Sequence, residues 1–538
     1  MFAFLWHVAR IASFWVMANS INNLADIVRS HSAEFGTRTA LIQGTKKQSW
    51  SQLYHRSCQM SQALRTAGVG VQDRVAFLDK NSIEHFEVLY GCALLNAVSV
   101  DVNWRLVGPE VSYIVNDAAA KVLIVGPDFV PILEAIADEL TSVKTIVVIG
   151  GHSKYQSYDT FIASGKDEDP GVEASHEDVA FQLYSSGTTG RPKGVMLTNN
   201  NFFALMPTAK DIWKLTPQTI SMVAMPLFHI GGGGWATAGQ FVGACSVIVR
   251  DINPVELVKL IGEERITHGF VVPALLQFML MVPDLDKADF SSLKLILYGA
   301  SPISDEVLAS SIKAFKTNFM QVYGLTETTG ATTLLMPEDH DLEGPNKHRL
   351  RSCGKPVPGM ELRIVDDETH EDMPVSKVGE IWVKGPQIML GYWNMPEETA
   401  KSIVDGGWFR SGDAGYLDAD GYLYIYDRVK DMIVSGGENI YPAEVENVLM
   451  AHPAIADVAV IGVPDEKWGE VPKAIVVRKK DVAVTEDEII AFAKVSLAGF
   501  KCPKSVDWIE ALPRNPSGKI LKKDLRAPYW IGRTRQVN

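Results

Sequence analysis

From residue 75 onward, short apolar runs alternate with longer segments whose apolar positions recur every three or four residues. Buried parallel strands read as near-continuous apolar runs, and the helices crossing between them carry a single apolar stripe. Residues 75–78 therefore predict a buried strand. Residues 82–97, with Ile83, Phe86, Leu89, Tyr90, Ala93 and Leu94 at helical spacing, predict a helix capped by Asn81, and 98–102 predict the next strand. The same alternation predicts strands at 121–125, 145–149, 246–250, 269–272, 293–298 and 319–323. Strands separated by helical segments imply βαβ units and parallel sheets.

Beyond about residue 361 the period changes. Alternating strands with Gly-Asp turns (361–365, 380–383, 421–426) predict a β-rich subdomain. After residue 427 it changes again, to helix (442–450), two strands (456–463 and 472–478) and helix (485–498), an α+β unit of about one hundred residues. The expected fold class is α/β. A large N-terminal domain of parallel-rich sheets with flanking helices and a β-rich subdomain (18–429) precedes a small mobile α+β C-terminal domain (430–538).

Residues 1–17 form an apolar extension, but Arg10 interrupts the run and it falls short of the roughly 18 to 20 residues a bilayer span needs. It also lacks the basic start and clean small-residue cleavage site of a signal peptide. The expectation is an extension outside the fold, with weak membrane contact left open. The five cysteines are far apart with no Cys-x-x-Cys pair, which points to a reducing, cytoplasmic setting without a zinc site. A net charge of -13 over 538 residues argues against nucleic acid as a partner, because phosphate backbones are held by clustered basic surface. From Gly499 to the end, however, nine Lys/Arg face three acids, a balance that suits a small polyanionic ligand. Self-association is left open.

Residues 184–194 read Tyr-Ser-Ser-Gly-Thr-Thr-Gly-Arg-Pro-Lys-Gly. Glycines let backbone N–H groups approach an anion, hydroxyls add donors, and Lys193 supplies charge for the β- and γ-phosphates. The run is not a Walker loop, since strand-like residues precede it (179–183) and follow it (195–198). It predicts a strand-loop-strand phosphate clamp of Ser185, Ser186, Gly187, Thr188, Thr189, Gly190 and Lys193.

This run resembles the signature of the adenylate-forming superfamily of acyl-CoA synthetases, peptide-synthetase adenylation domains and luciferases, and five further segments along the chain resemble that family's other motifs. Residues 321–328 (Gln-Val-Tyr-Gly-Leu-Thr-Glu-Thr) resemble its adenine and magnesium segment. The resemblance implies that Gln321, Tyr323, Gly324 and Thr326 meet the nucleotide, Tyr323 by stacking on the base, and that Glu327 reaches Mg²⁺ together with Thr188. Gly299, Ala300 and Ser301 are similar to the loop on the other side of the adenine. Residues 407–413 place Asp413 behind a tight turn, where it would take the ribose hydroxyls. Residues 426–433 resemble the interdomain hinge, with Arg428 near ribose or phosphate and Lys430 as the pivot. Residues 513–520 (Pro-Arg-Asn-Pro-Ser-Gly-Lys-Ile) match the C-terminal motif whose lysine, Lys519 here, enters the site during adenylation. The implied catalytic set is Lys519, Glu327 and Lys193.

The resemblance, which spans about residues 21–525, implies an AMP-forming ligase. ATP and a carboxylic acid would give an acyl-adenylate and pyrophosphate, and the acyl group would pass to coenzyme A, with ATP, Mg²⁺ and coenzyme A required. Ser435, Gly436, Gly437 and Glu438 would flank the pantetheine channel once the C-terminal domain has turned. The acyl pocket would draw on His229, Gly233, Trp235, Gly299 and Gly324. Amino-acid-activating relatives place an aspartate where this chain has His229, so a fatty or aryl acid is expected. An enzyme that loads a separate carrier protein stays as the alternative. A hydrolase is disfavoured because no Gly-x-Ser-x-Gly elbow exists, and a dehydrogenase because no Gly-x-Gly-x-x-Gly fingerprint exists. A catalytically dead scaffold would be expected to lose Glu327, Lys193 or Lys519, and all three are present.

Overall fold

A computed structural model describes residues 21–185, 192–301, 303–366, 369–428, 431–435, 438–480, 482–497, 499–514 and 520–531. Every residue of the strand Arg74–Leu78 is buried, as expected for a strand paired in parallel on both sides, here with Val98–Asp101 and Val122–Val125. These strands belong to an eight-stranded sheet that runs Gly391–Tyr392, Lys193–Thr198, Val179–Ser185, Val98–Asp101, Arg74–Leu78, Val122–Val125, Thr145–Val148, Gln156–Ser157. A second, nine-stranded sheet has the parallel strands Leu295–Gly299, His268–Val271, Ile220–Val223, Cys245–Ile248 and Thr39–Gln43 at its centre, with Asn318–Tyr323 beside Leu295–Gly299. One buried cluster runs from this sheet (Met222, Val247, Leu297) through helices Ile83–Leu94, Asn199–Asp211 and Ile230–Phe241 to the first sheet (Phe181, Leu183, Val195). The layering is that of a parallel α/β fold with helices packed against sheet faces.

The expected strands all form, within a few residues of their predicted ends. The expected cap at Asn81 does not. Ser82 caps the helix Ile83–Leu94 by accepting from the His85 amide, while Asn81, 5% exposed, turns across to the other sheet. Its amide donates to the carbonyls of Met225 (3.0 Å) and Val249 (3.3 Å), and its Oδ1 accepts from the Leu227 amide (3.0 Å). A carboxamide offers two donors and an acceptor on one short arm, so it can join two strand ends where a serine could not. Asn81 thereby ties the end of one sheet to the segment that leads into His229.

The β-rich subdomain is antiparallel, with strands Glu361–Val365, Gly379–Lys384, Trp408–Leu417 and Leu423–Arg428 in register. Residues past 430 bury a core of their own, built from Ile433, Ile440, Val445, Leu449, Val458, Val460, Ala474 and Val476 on a small sheet and the helices Pro442–Met450 and Glu486–Ser496. Several basic residues near the C-terminus are spent on holding this unit together. Lys501 pairs with Glu444, Arg514 with Asp457, Lys522 with Glu446 and Arg526 with Asp431. The surplus of positive charge counted in the sequence is therefore not an open cationic face at these four positions. Among the described residues no helix is long and apolar enough to cross a membrane, and the cysteines are not joined by disulfides.

Candidate active site

The phosphate-clamp sequence closes a hairpin: Val179–Ser185 pairs antiparallel with Lys193–Thr198, and Ser185 lies opposite Lys193. Gly194 is required by packing, since a Cβ there would come within 2.7 Å of Gln182 Nε2 and about as close to the Tyr184 ring, at 3.1 Å. Behind the hairpin the Tyr184 hydroxyl donates to Asp117 at 2.6 Å, and burial with that carboxylate pushes its pKa well above the usual phenol range. Ser186, Gly187, Thr188, Thr189 and Gly190 lie outside the described residues.

The hairpin meets the predicted magnesium carboxylate directly. Ser185 Oγ donates to Glu327 Oε1 at 3.1 Å, and the hydroxyl of Tyr392 donates to the same oxygen at 3.1 Å. Both donors occupy one oxygen of a buried carboxylate, so Oε2 is outside these two bonds. A Mg²⁺ that takes most of its shell from phosphates and water needs one such carboxylate oxygen, and Glu327 fits that requirement. Tyr392 reaches Glu327 because residues 389–393 run beside the hairpin. Met389 N–H donates to the Glu327 carbonyl, Leu390 N–H to Met196 and Trp393 N–H to Gly194. Asn201, three residues past the helix cap Thr198, fixes this segment by donating to the carbonyls of Pro386 and Ile388.

Gln321 and Tyr323 lie on the strand Asn318–Tyr323, beside Leu295–Gly299. Gly299 is demanded there, because a Cβ would fall 2.1 Å from the Val322 carbonyl oxygen. Ala300 follows at φ +67°, a left-handed conformation that a residue with a Cβ adopts at a cost and that surrounding structure must hold. Ser301 follows it, half-buried. Gln321 donates to Cys353 Sγ at 3.6 Å. Gly324 makes room for Gly330, whose carbonyl oxygen would be 2.5 Å from an added Cβ, and Thr326 opens the short turn that carries Glu327.

The Tyr323 hydroxyl donates to Asp413 Oδ2 at 2.8 Å. Asp413 lies in the strand Trp408–Leu417, beyond the positive-φ turn at Gly406 and Gly407 and directly after Gly412, itself at φ +67°. Register places Arg428 opposite Asp413 on the neighbouring strand. Ser435 ends the strand Ile433–Ser435 and pairs with Glu438, which opens Glu438–Ile440. Lys430, Gly436, Gly437 and Lys519 lie outside the described residues.

His229 precedes helix Ile230–Phe241, its ring 4.6 Å from that of Phe228. The glycines that follow serve close packing. Cβ atoms at Gly232 and Gly233 would meet the carbonyl oxygens of Pro226 and Leu227 at 2.1 and 2.9 Å, so the helix lies directly on the segment entering it. Trp235 is 4% exposed, donates its indole N–H to the Met222 carbonyl and lies 5.8 Å from the Trp213 ring.

Two residues at the site went unread in the sequence. Lys193 Nζ is 2.6 Å from Glu398 and 4.9 Å from the centre of the Tyr392 ring. Tyr392 and Glu398 flank an ordinary helix start at Pro396, and their partners lie 65 and 205 residues away, so no local pattern marks them.

Hydroxyl, glycine and carboxylate groups thus converge where the hairpin of residues 179–198 meets Glu327. Residues 28–393 match the AMP-binding enzyme family and residues 444–519 match the AMP-binding enzyme C-terminal domain, and the chain belongs to this family. It is an AMP-forming acid–thiol ligase. It is 38% identical to a fatty acid–[acyl-carrier-protein] ligase of Streptomyces coeruleorubidus, over 96% of this chain and 98% of that one. It is 36% identical to a long-chain-fatty-acid–CoA ligase of Mycobacterium tuberculosis, over 90% of this chain and 93% of that one. Its fold follows the crystal structure of an anthranilate CoA ligase in complex with anthranoyl-AMP, with a TM-score of 0.87, 28% identity and coverage of 95% and 98%.

Proposed function

We propose that this enzyme joins an apolar carboxylic acid, fatty or aryl, to coenzyme A through an acyl-adenylate, and that it does so with the residues named above. The observation that supports the assignment is the pair of contacts Ser185–Glu327 and Tyr323–Asp413, which bring together residues 142 and 90 positions apart whose roles would be to face phosphate, metal and ribose. In the first half-reaction an oxygen of the acid attacks the α-phosphorus of ATP, the bond to the bridging oxygen breaks, and pyrophosphate leaves. Two anions must approach, so the site has to offset charge as it accumulates. Lys193 would face the β- and γ-phosphates, Asp413 would accept hydrogen bonds from the ribose hydroxyls, Tyr323 would stack on the base with Gly299 to Ser301 opposite, and Glu327 would hold Mg²⁺, which when bound would neutralise the polyphosphate. Lys519 enters from the C-terminal domain. In the second half-reaction that domain, 430–538, turns about Lys430 and presents Ser435 to Glu438. The thiol sulfur then attacks the acyl carbonyl, its proton passes to water, the bond from the acyl carbon to the AMP phosphate oxygen breaks, and AMP departs.

An apolar acid is supported by Phe228, His229 and the glycine-bedded helix, which carry no carboxylate for an ammonium group. A cytoplasmic setting accords with cysteines that form no disulfide. The carrier-protein relative keeps a second reading alive, in which the thiol belongs to a carrier domain. The residue roles are tested by Lys519→Ala. It is expected to abolish acid-dependent pyrophosphate release, by roughly a hundredfold or more for one lost charge contact, yet to leave thioester formation from supplied acyl-adenylate within about twofold. Equal loss of both steps would remove Lys519 from adenylation.

A further inference from the structure

Glu398 lies in the first turn of the helix Pro396–Ser402 and receives one ammonium on each carboxylate oxygen. Lys193 Nζ donates to Oε2 at 2.6 Å, and Lys401 Nζ donates to Oε1 at 2.9 Å. The three side chains differ in exposure, 8% for Lys193, 28% for Glu398 and 72% for Lys401. The two lysines hold the Glu398 carboxyl at about 2, Lys193 contributing first, so it is ionised at any working pH. The triad as a whole therefore carries one net positive charge. Lys193 is fixed from a second side by the Tyr392 ring, whose hydroxyl reaches Glu327. The counter-ion of the phosphate-facing lysine is thus mechanically continuous with the magnesium carboxylate.

A polyphosphate that needs Lys193 must compete with Glu398 for it. The strength of that competition depends on how much of the Glu398 charge is already answered by Lys401. We propose that Glu398 is a positioning residue for acid activation: it parks the Lys193 ammonium beside the Tyr392 ring until nucleotide phosphates draw it off, and Lys401 sets how tightly it is parked. The proposal rests on Lys193 meeting the nucleotide phosphates, as assigned above.

Neutralising the counter-ion of Lys193 and removing that counter-ion's second partner have opposite expected effects. Glu398→Gln frees the ammonium but leaves it unaimed, so the KM for ATP is expected to fall about threefold while kcat for acid-dependent pyrophosphate release falls about tenfold. Lys401→Met leaves Glu398 to Lys193 alone, so the KM for ATP rises about threefold with kcat nearly unchanged. A merely structural role for Glu398 would move both constants in the same unfavourable direction in both variants. Shifts of the KM for ATP in the same direction, or no shift in either variant, overturn the proposal. If Glu398→Gln does not fold, as judged by its thermal midpoint, the Lys401→Met arm decides alone: a rise supports the proposal and an unchanged or lower KM overturns it. Lys193→Met is run alongside. A wild-type KM for ATP in that variant would show that the lysine does not meet phosphate, and the site assignment, not the parking of the lysine, would be at fault.

Discussion

Asn81→Ala removes the side chain that ties the two sheets of the large domain together beside the segment leading into His229. It deletes two donated bonds, to the carbonyls of Met225 and Val249, and one accepted bond from the Leu227 amide. The position is 5% exposed, so the orphaned backbone groups cannot simply turn to bulk water. A buried donor or acceptor left without its partner costs about 1 to 3 kcal/mol, and some relief comes from a water entering the space. The expected loss is about 3 to 5 kcal/mol, at the high end for a single substitution. Urea denaturation at pH 7 measures it. Asn81→Asp separates the two kinds of bond: it keeps the acceptor for Leu227 but turns an anionic oxygen toward two carbonyls, so it is expected to be at least as damaging. Because residues 225–228 lead into His229, the KM for the acid should rise in a folded fraction of either variant while the KM for ATP stays near wild type. A loss below about 1 kcal/mol for Asn81→Ala would refute the reasoning, since it would mean that these three bonds do not couple the sheets.

Gly299→Ala forces a methyl group to within 2.1 Å of the Val322 carbonyl and must spread the strands that carry Ala300 and Tyr323. A cost of about 2 to 3 kcal/mol expressed in nucleotide binding predicts a KM for ATP higher by roughly thirtyfold or more, with the acid KM far less affected. His268, 3% exposed, is held by burial at about 4, below the usual imidazole value. A depressed folded value means that the unfolded chain takes up the proton first. His268 therefore contributes stability that is complete above about pH 6.5 and is lost as pH falls toward 4, about 2 kcal/mol of it between pH 7 and 5. Denaturation at both pH values, compared with His268→Asn, checks this. An unchanged pH dependence in the variant would contradict it.

The parallel strands were legible because burial on both faces makes them nearly all apolar, as at Arg74–Leu78, and the hairpin around residues 184–194 because strand-like residues flank its glycines on both sides. What escaped was set by partners distant in sequence. Asn81 and Ser82 are both good caps, and only the presence of the Met225 and Val249 carbonyls decides which one serves the helix. The strand Thr39–Gln43 carries a pairing with Cys245–Ile248 that no local pattern announces. Tyr392 and Glu398 look like the approach to a helix until the hairpin brings Glu327 and Lys193 against them. The close approach of the helix after His229 to the segment entering it is likewise a matter of distant packing, since only the carbonyls of Pro226 and Leu227 show why Gly232 and Gly233 admit no Cβ.

The central claim is activation of a carboxylic acid as an acyl-adenylate followed by transfer to coenzyme A. Pyrophosphate release from ATP, followed over a panel of fatty and aryl acids with and without coenzyme A, with the product weighed by mass spectrometry, tests it most directly. Acid-dependent pyrophosphate with an acyl-CoA of the expected mass is the predicted result. Release of ADP and phosphate instead of AMP and pyrophosphate, or pyrophosphate release that no acid stimulates, would contradict it.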